Sequence, residues 1–285
     1  MTLTWGVAAA VLFAALLHAC WNALVKSSAD KQLDTALIHL IGCAIGLPLM
    51  LAVGVAPTAA WPYIAASVMI HIGYYVVLTS AYQHGDLGLT YPLMRGVGPV
   101  LVALSATFTV GEHLSLLAWA GVLGVCAGTL VLGLSPRALE QPRAVAFALL
   151  NAVVIAVYTV VDALGARSAV QAGGSALQYV ALLFVLDGWP FAFMVLRKRG
   201  FAVALPYARA RLPVATVGAA ASLGSYGIAL WAMTLAPVAT VAALRETSVL
   251  FAALLGTWFL KEAFTLRRAL GTMVIASGVM ALRMG

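Results

Sequence analysis

The sequence predicts an all-α polytopic membrane protein with ten transmembrane helices arranged as two inverted five-helix repeats. Three observations predict it. The chain is 64% hydrophobic and only 9% charged, with a mean hydropathy of +1.04, beyond the range of soluble domains. Its apolar text divides into ten segments joined by very short links, each near the roughly 20 residues needed to cross a hydrocarbon core about 30 Å thick. Finally, its second half repeats its first.

In order, the spans are Leu3 to Val25, Leu33 to Val55, Trp61 to Gln83, Gly88 to Val110, Ser115 to Leu134, Arg143 to Ala163, Ser175 to Leu196, Leu212 to Leu235, Val238 to Leu260 and Thr265 to Met284. The first lacks a basic leader and exceeds the roughly 7–15 residues of a signal core, so it reads as a retained span. Cys20, Cys43 and Cys126 all fall inside spans, where they are small packing residues and imply neither a disulfide nor a metal site.

Sliding residues 91–132 forward by 150 positions gives nine identities: Arg95/Arg245, Ala103/Ala253, Leu104/Leu254, Thr107/Thr257, Glu112/Glu262, Leu116/Leu266, Gly121/Gly271, Gly128/Gly278 and Leu132/Leu282. Coinciding Arg, Glu and Gly carry weight in so apolar a chain, and they mark an internal duplication. The join with Pro136 and Pro142 separates residues 1–136 from 143–285, five spans each. Five is odd, so the second copy enters the membrane from the opposite side, an architecture that puts substrate sites near the midplane.

The formal charge of +7 would suggest nucleic acid in a soluble protein. Here the basic residues collect in joins and act as topology signals. One side carries Lys26, Lys31, Arg137, Arg143, Arg197, Lys198, Arg199, Arg209, Arg211, Lys261, Arg267 and Arg268, against Arg167 and Arg283 on the other. The rich side is expected to be cytoplasmic, with both termini outside.

The blocks AYQHGDLGLTYPLMRG (Ala81 to Gly96) and APVATVAALRETSVLFAALLGTWFLKE (Ala236 to Glu262), with His18-Ala19-Cys20-Trp21-Asn22 in the first span, resemble the EamA family of the drug/metabolite transporter superfamily. The resemblance covers essentially the whole chain. It implies a central cavity lined mainly by spans 1, 3, 4, 6, 8 and 9, with spans 5 and 10 peripheral, in a bacterial cytoplasmic (inner) membrane. Such proteins move amino acids, nucleotide sugars, amines and other small metabolites, with export the commoner assignment. One departure is that Pro92 and Pro99 become Ala242 and Val249 in the second copy, so the fourth and ninth helices need not bend alike.

Arg95 and Arg245 lie about 12 Å into their spans at 1.5 Å per residue, near the midplane. An arginine there costs at least ~2.5 kcal/mol, so each is expected to face a cavity or a partner. Two roles compete, structural salt bridges and a direct substrate or gate role. From depth, Asp162 is the expected partner of Arg245, and Asn22 of Arg95. Polar stripes recur at helical spacing: Asn151, Ile155, Tyr158 and Asp162; His71, Tyr75, Leu78 and Tyr82; His18, Trp21 and Asn22; Ser222, Ser225 and Tyr226. Each stripe alone is explained by interhelical hydrogen bonds worth ~0.6 kcal/mol; four together predict one polar, aromatic cleft.

His71 is the group a coupled proton would use. Asp187, three residues before Pro190, serves either freed backbone or a cation. Glu246 points about 100° away from Arg245 and is expected to touch another helix. Glu112 and Glu262 are read as structural, caps on the next helix or anchors at the interface, and Gly121, Gly124, Gly128, Gly271 and Gly278 as close-packing notches that hold spans 5 and 10 against neighbours or build a dimer.

These features predict a secondary transporter of a small polar metabolite, with no cofactor, metal or catalytic residue. Arginines suit an anionic group, and Asp162 with an aromatic wall suits an amine, so an amino-acid-like zwitterion fits best. A proton or sodium gradient is the candidate drive, and the assembly is a monomer or homodimer. A lipid flippase would want a basic rim, which topology already explains, and an intramembrane enzyme would want a metal motif or nucleophile, for which the text shows no HxxxH, HExxH or P-loop.

Overall fold

A computed structural model describes residues 3–84, 87–133, 140–259 and 265–285, and their side chains except at 79, 82, 83, 87–89 and 255–259. Pro136, Arg137, Lys261 and Glu262 lie outside the described residues. Among those described the chain is helical throughout: α1 (Trp5–Lys26), α2 (Lys31–Val53), a 3₁₀ turn (Thr58–Ala60), α3 (Trp61–His84), α4 (Leu87–Thr109), α5 (Leu116–Gly133), α6 (Pro142–Gln171), α7 (Ala176–Arg199), α8 (Phe201–Met233), α9 (Val238–Arg245), α10 (Ser248–Phe259) and α11 (Leu266–Met284).

Local chemistry explains the boundaries. Thr4 accepts from the Val7 N–H at 3.3 Å, and Asp30 from Gln32 and Leu33 at 3.1 Å, satisfying the first donors of α1 and α2. Ser175 and Gln178 form a reciprocal capping box on α7. Gly54 (φ 87°) and Gly200 (φ 79°) stop α2 and α7 in a conformation that suits only glycine.

Among the described residues eight helices are long and apolar enough to cross a membrane. Phe13, Leu51, Phe108, Trp189 and Phe193 are exposed on their flanks, the surface expected of a bundle whose solvent is lipid. The interior is correspondingly rich in alanine: Ala14, Ala60, Ala144, Ala163, Ala215 and Ala229 are fully buried, because small residues let helices approach where no hydrophobic force drives them together.

Two helices outrun their predicted spans. α6 continues eight residues past Ala163 and α8 begins at Phe201, so the stretch read as a basic join is helix. At 1.5 Å per residue, α8's 33 residues reach about 50 Å. Its basic end is anchored: Arg211 grips the fully buried Asp34 of α2 at 3.0 and 3.1 Å, and Tyr207 donates to the same carboxylate at 3.1 Å; beside it Arg199, the last residue of α7, pairs with Asp30 at 3.0 Å. Removing Arg211 strands a buried carboxylate with one hydroxyl, so Arg211→Ala is expected to destabilise the purified protein by about 1–3 kcal/mol. An unchanged detergent melting curve would show the grip to be ornamental.

The opposite face has its own knot. Glu112 pairs with Arg167 at 2.7 Å and accepts from the Val238 N–H at 2.8 Å, while Arg167 donates to the carbonyls of Met233 (2.8 Å) and Ala236 (3.2 Å). Glu112 is therefore a cap, but of α9 and not of the helix after it. Arg167 is a cross-brace, which accounts for a basic residue on the poor side.

α5 packs against α11, α2 against α7, α3 against α6, and α1 against α8. The glycine notches serve the first pair: Gly121 and Gly128 face the backbone of Gly278, Leu282, Gly271 and Ile275.

The ninth span departs from expectation. It is not one helix: α9 ends at Arg245, and a tight turn through Glu246 and Thr247 precedes α10. In that turn Glu246 N–H bonds Ala243 O at 3.0 Å, Thr247 N–H bonds Leu244 O at 3.2 Å, and the Thr247 hydroxyl takes Leu244 O at 2.8 Å. The α4 copy runs unbroken through Pro92 and Pro99. The two copies do bend differently, but the break lies in the copy without proline.

Candidate functional site

The break sets the site. It brings Arg245 and Glu246 against α4 and α6, around a buried space lined by Arg95, Pro99, Tyr158, Thr159, Arg245 and Glu246 among others. That space is about 20 Å³, room for little more than one water. The site is closed down around its own side chains.

Arg95 finds its partner here. Its Nε lies 2.8 Å from Glu246 Oε2, and its Nη2 is 3.5 Å from Ser248 Oγ. Both carriers are buried, Arg95 to 9% and Glu246 to 5% exposure. The predicted Asn22–Arg95 contact does not form, because Asn22 turns its amide back to the His18 carbonyl of its own helix at 2.7 Å. Glu246 does reach across to another helix, as its direction predicts.

The predicted Asp162–Arg245 ion pair does not form either. Asp162 is fully buried and accepts from the hydroxyls of Tyr179, at 2.8 Å, and Tyr226, with Ser67 a further donor. Arg245 instead lays its guanidinium over the Tyr226 ring, 5.4 Å from the centroid, an attraction that strengthens when both groups are desolvated. Tyr226 thus mediates between the two charges, ring toward one and hydroxyl toward the other. Tyr226→Phe keeps the ring but takes one of Asp162's hydroxyl donors. It is expected to lower stability by about 1–3 kcal/mol, with a smaller loss than Tyr226→Leu, which removes the ring as well; equal melting temperatures for the two variants would refute the division of labour.

Of the other predicted residues, His71 stacks on Tyr158 with ring centroids 4.5 Å apart and turns Nδ1 to the Ser67 carbonyl at 2.9 Å. It is within electrostatic reach of Asp162. His18 lies within reach of both Arg95 and Arg245 and accepts from Trp21 Nε1 at 3.3 Å, so Trp21 acts on His18. Tyr75 stands elsewhere: it bonds His39 of α2 and stacks on Phe191 of α7 at 4.4 Å. With Asp187 in electrostatic reach, this is a second polar cluster beside the first. The Tyr82 side chain lies outside the described residues.

Sequence reading missed four contributors. Tyr91, within reach of Arg95 and Glu246, sits four residues before Arg95 and was legible from that spacing. Tyr179, His39 and Ser248 belong to none of the polar stripes and carry no signal without a neighbour to touch. Among the described residues no group of three or more His, Cys, Asp or Glu could hold a metal ion.

The model of the EamA-like transporter family matches residues 142–284, the half carrying Asp162, Tyr226, Arg245 and Glu246. The chain belongs to that family. EamA-like proteins are transporters, and the apolar helices make this one an integral membrane protein. In fold it is similar to a solved structure titled only "Crystal structure of protein", with a TM-score of 0.74 and 21% identity over 96% of this chain and 97% of that one. No curated protein matches this EamA-like chain.

Proposed function

We propose that this EamA-like protein is a secondary transporter that moves a small, carboxylate-bearing polar metabolite, an amino-acid-like zwitterion, outward across the bacterial cytoplasmic membrane by alternating access. The observation that carries the reading is the meeting of Arg95 and Arg245 at one buried cavity beside a broken helix. Discontinuous helices at the midplane offer backbone ends and charge to a substrate where a continuous helix offers none. Tyr158 lines the same cavity, Tyr226 lies under Arg245 and His18 is within reach of both arginines, while His71 and Asp162 adjoin Tyr158 and Tyr226; these are the proposed substrate-facing residues. His71, between Ser67 and Tyr158, is the group through which a proton would couple.

An inverted pair of repeats, 1–136 and 143–285, supports the alternation. Read as ten spans, α9 and α10 being the ninth and α11 the tenth, the contacts are self-paired: second with seventh, fourth with ninth, fifth with tenth, and third-on-sixth mirrored by first-on-eighth. The face with Arg199 and Arg211 is then cytoplasmic.

Counterflow in proteoliposomes tests the function. Vesicles loaded with unlabelled amino acid are expected to accumulate the labelled form transiently, and no member of an amino-acid panel exchanging would end the reading. Labelling of single cysteines at each terminus in intact cells tests the orientation.

A further inference from the structure

The duplication copies the arginine but not the residue after it: Arg95 is followed by Gly96, Arg245 by Glu246. Gly96 is packed shut, since a Cβ there would meet the Leu130 side chain at 2.6 Å. The pair of arginines therefore has one carboxylate in its adjoining positions, and that carboxylate stands where the helix is interrupted, between α9 and α10.

Its grip on Arg95 is single-pronged. Nε and Oε2 are 2.8 Å apart and both buried, while Nη2 turns to Ser248 Oγ at 3.5 Å. The contact lacks the two parallel bonds of an arginine–carboxylate fork. Asp162, the other acid at this level, is pinned by Tyr179 and Tyr226. Arg245 is within ion-pair distance of no carboxylate among the described residues and rests on the Tyr226 ring. The cavity of about 20 Å³ that Arg95, Arg245 and Glu246 line together has no room for a metabolite.

We propose that Glu246 is a tethered stand-in for the substrate's carboxylate: in the closed site it occupies the seat on Arg95, and a carboxylate-bearing molecule enters by displacing it. Loading is then an exchange of one carboxylate for another on the same guanidinium. The site keeps its charge pair throughout, avoiding the cost of a bare buried arginine. Because Glu246 sits at the α9–α10 turn, its displacement moves the broken helix, which links occupancy to the shape of the site. The ligand class is a carboxylate; amines and neutral solutes gain nothing from the exchange. The inference rests on the transporter reading for its purpose, but its test does not.

The test compares wild type, Glu246→Gln and Glu246→Asp, full length in nanodiscs, by melting temperature against rising acetate, alanine and phenylalanine, with ethylamine and phenethylamine as controls. Glu246→Gln removes the internal competitor and is expected to respond to carboxylates at concentrations at least tenfold lower, with amine responses unchanged. Glu246→Asp withdraws the charge from Arg95 and is expected to shift in the same direction; it decides the matter where the Gln variant does not fold. Unchanged or weaker carboxylate responses in the folded variants, or no response of any protein to any carboxylate, overturns the proposal. Amino-acid counterflow with an unaltered Glu246→Gln affinity would leave the transporter reading standing and this one fallen. The reverse pattern, a Glu246 effect on binding without counterflow, would do the opposite.

Discussion

Arg95→Ala is expected to reduce counterflow by about 100-fold or more, the loss typical of truncating one member of a buried charge pair at a binding site, and to lower stability by about 3–5 kcal/mol. The two effects have different origins. The stability loss comes from Glu246, which is 5% exposed and would be left as an unpaired buried carboxylate. The transport loss comes from the missing guanidinium itself. A double variant, Arg95→Met with Glu246→Met, separates them: apolar residues of similar length remove both charges, and melting should return to within about 1 kcal/mol of wild type while transport stays absent. Wild-type counterflow in Arg95→Ala would reduce the residue to scaffold. Recovery of transport in the double variant would show that the pair only locks the bundle.

Gly121→Ala combined with Gly128→Ala is expected to part α5 from α11 and cost several kcal/mol, on the order of the overpacking penalty at two sites. A Cβ at Gly121 would lie 2.6 Å from the Leu282 nitrogen and 2.9 Å from the Gly278 oxygen; at Gly128 it would lie 2.9 Å from the Gly271 oxygen and the Ile275 nitrogen. These are backbone atoms of α11, so no side chain can swing aside, and the helices must part. Overpacking of this kind costs about 1–3 kcal/mol per site, and the double variant is expected to lose roughly 2–6 kcal/mol. Gly73→Ala is the control, because nothing lies within 4 Å of its Cβ. A melting temperature equal to that of Gly73→Ala would refute the close-packing account.

The candidate site was legible in unequal parts. Arg95 and Arg245 could be found from their repetition and depth, and the structure brings both to one cavity. Their partners could not. Depth and direction pointed Asp162 at Arg245, but a tyrosine ring intervenes, and Tyr179, in the first turn of a different helix, takes one of the carboxylate oxygens. Tyr75 shares a face with His71 in α3, yet α2 and α7 meet it with His39 and Phe191 while α6 meets His71 with Tyr158. A stripe tells which residues share a face and says nothing of what the facing helix presents.

The long α8 shows the same limit from the other side. Arg209 and Arg211 in a stretch with Pro206 and Pro213 read as a join, but Asp34 and Tyr207 make that stretch worth keeping helical. By itself the sequence determined the membrane class, the approximate spans, the doubled arginine and the glycine notches, because each depends on composition or on periodicity within one segment. Only the tertiary structure decided where the ninth span breaks and which carboxylate meets Arg95. Residues 242–248, Ala-Ala-Leu-Arg-Glu-Thr-Ser, hold no proline or glycine to announce a break. It is found where Glu246 faces an arginine on α4, and a charge pair between helices has no signature in either helix alone.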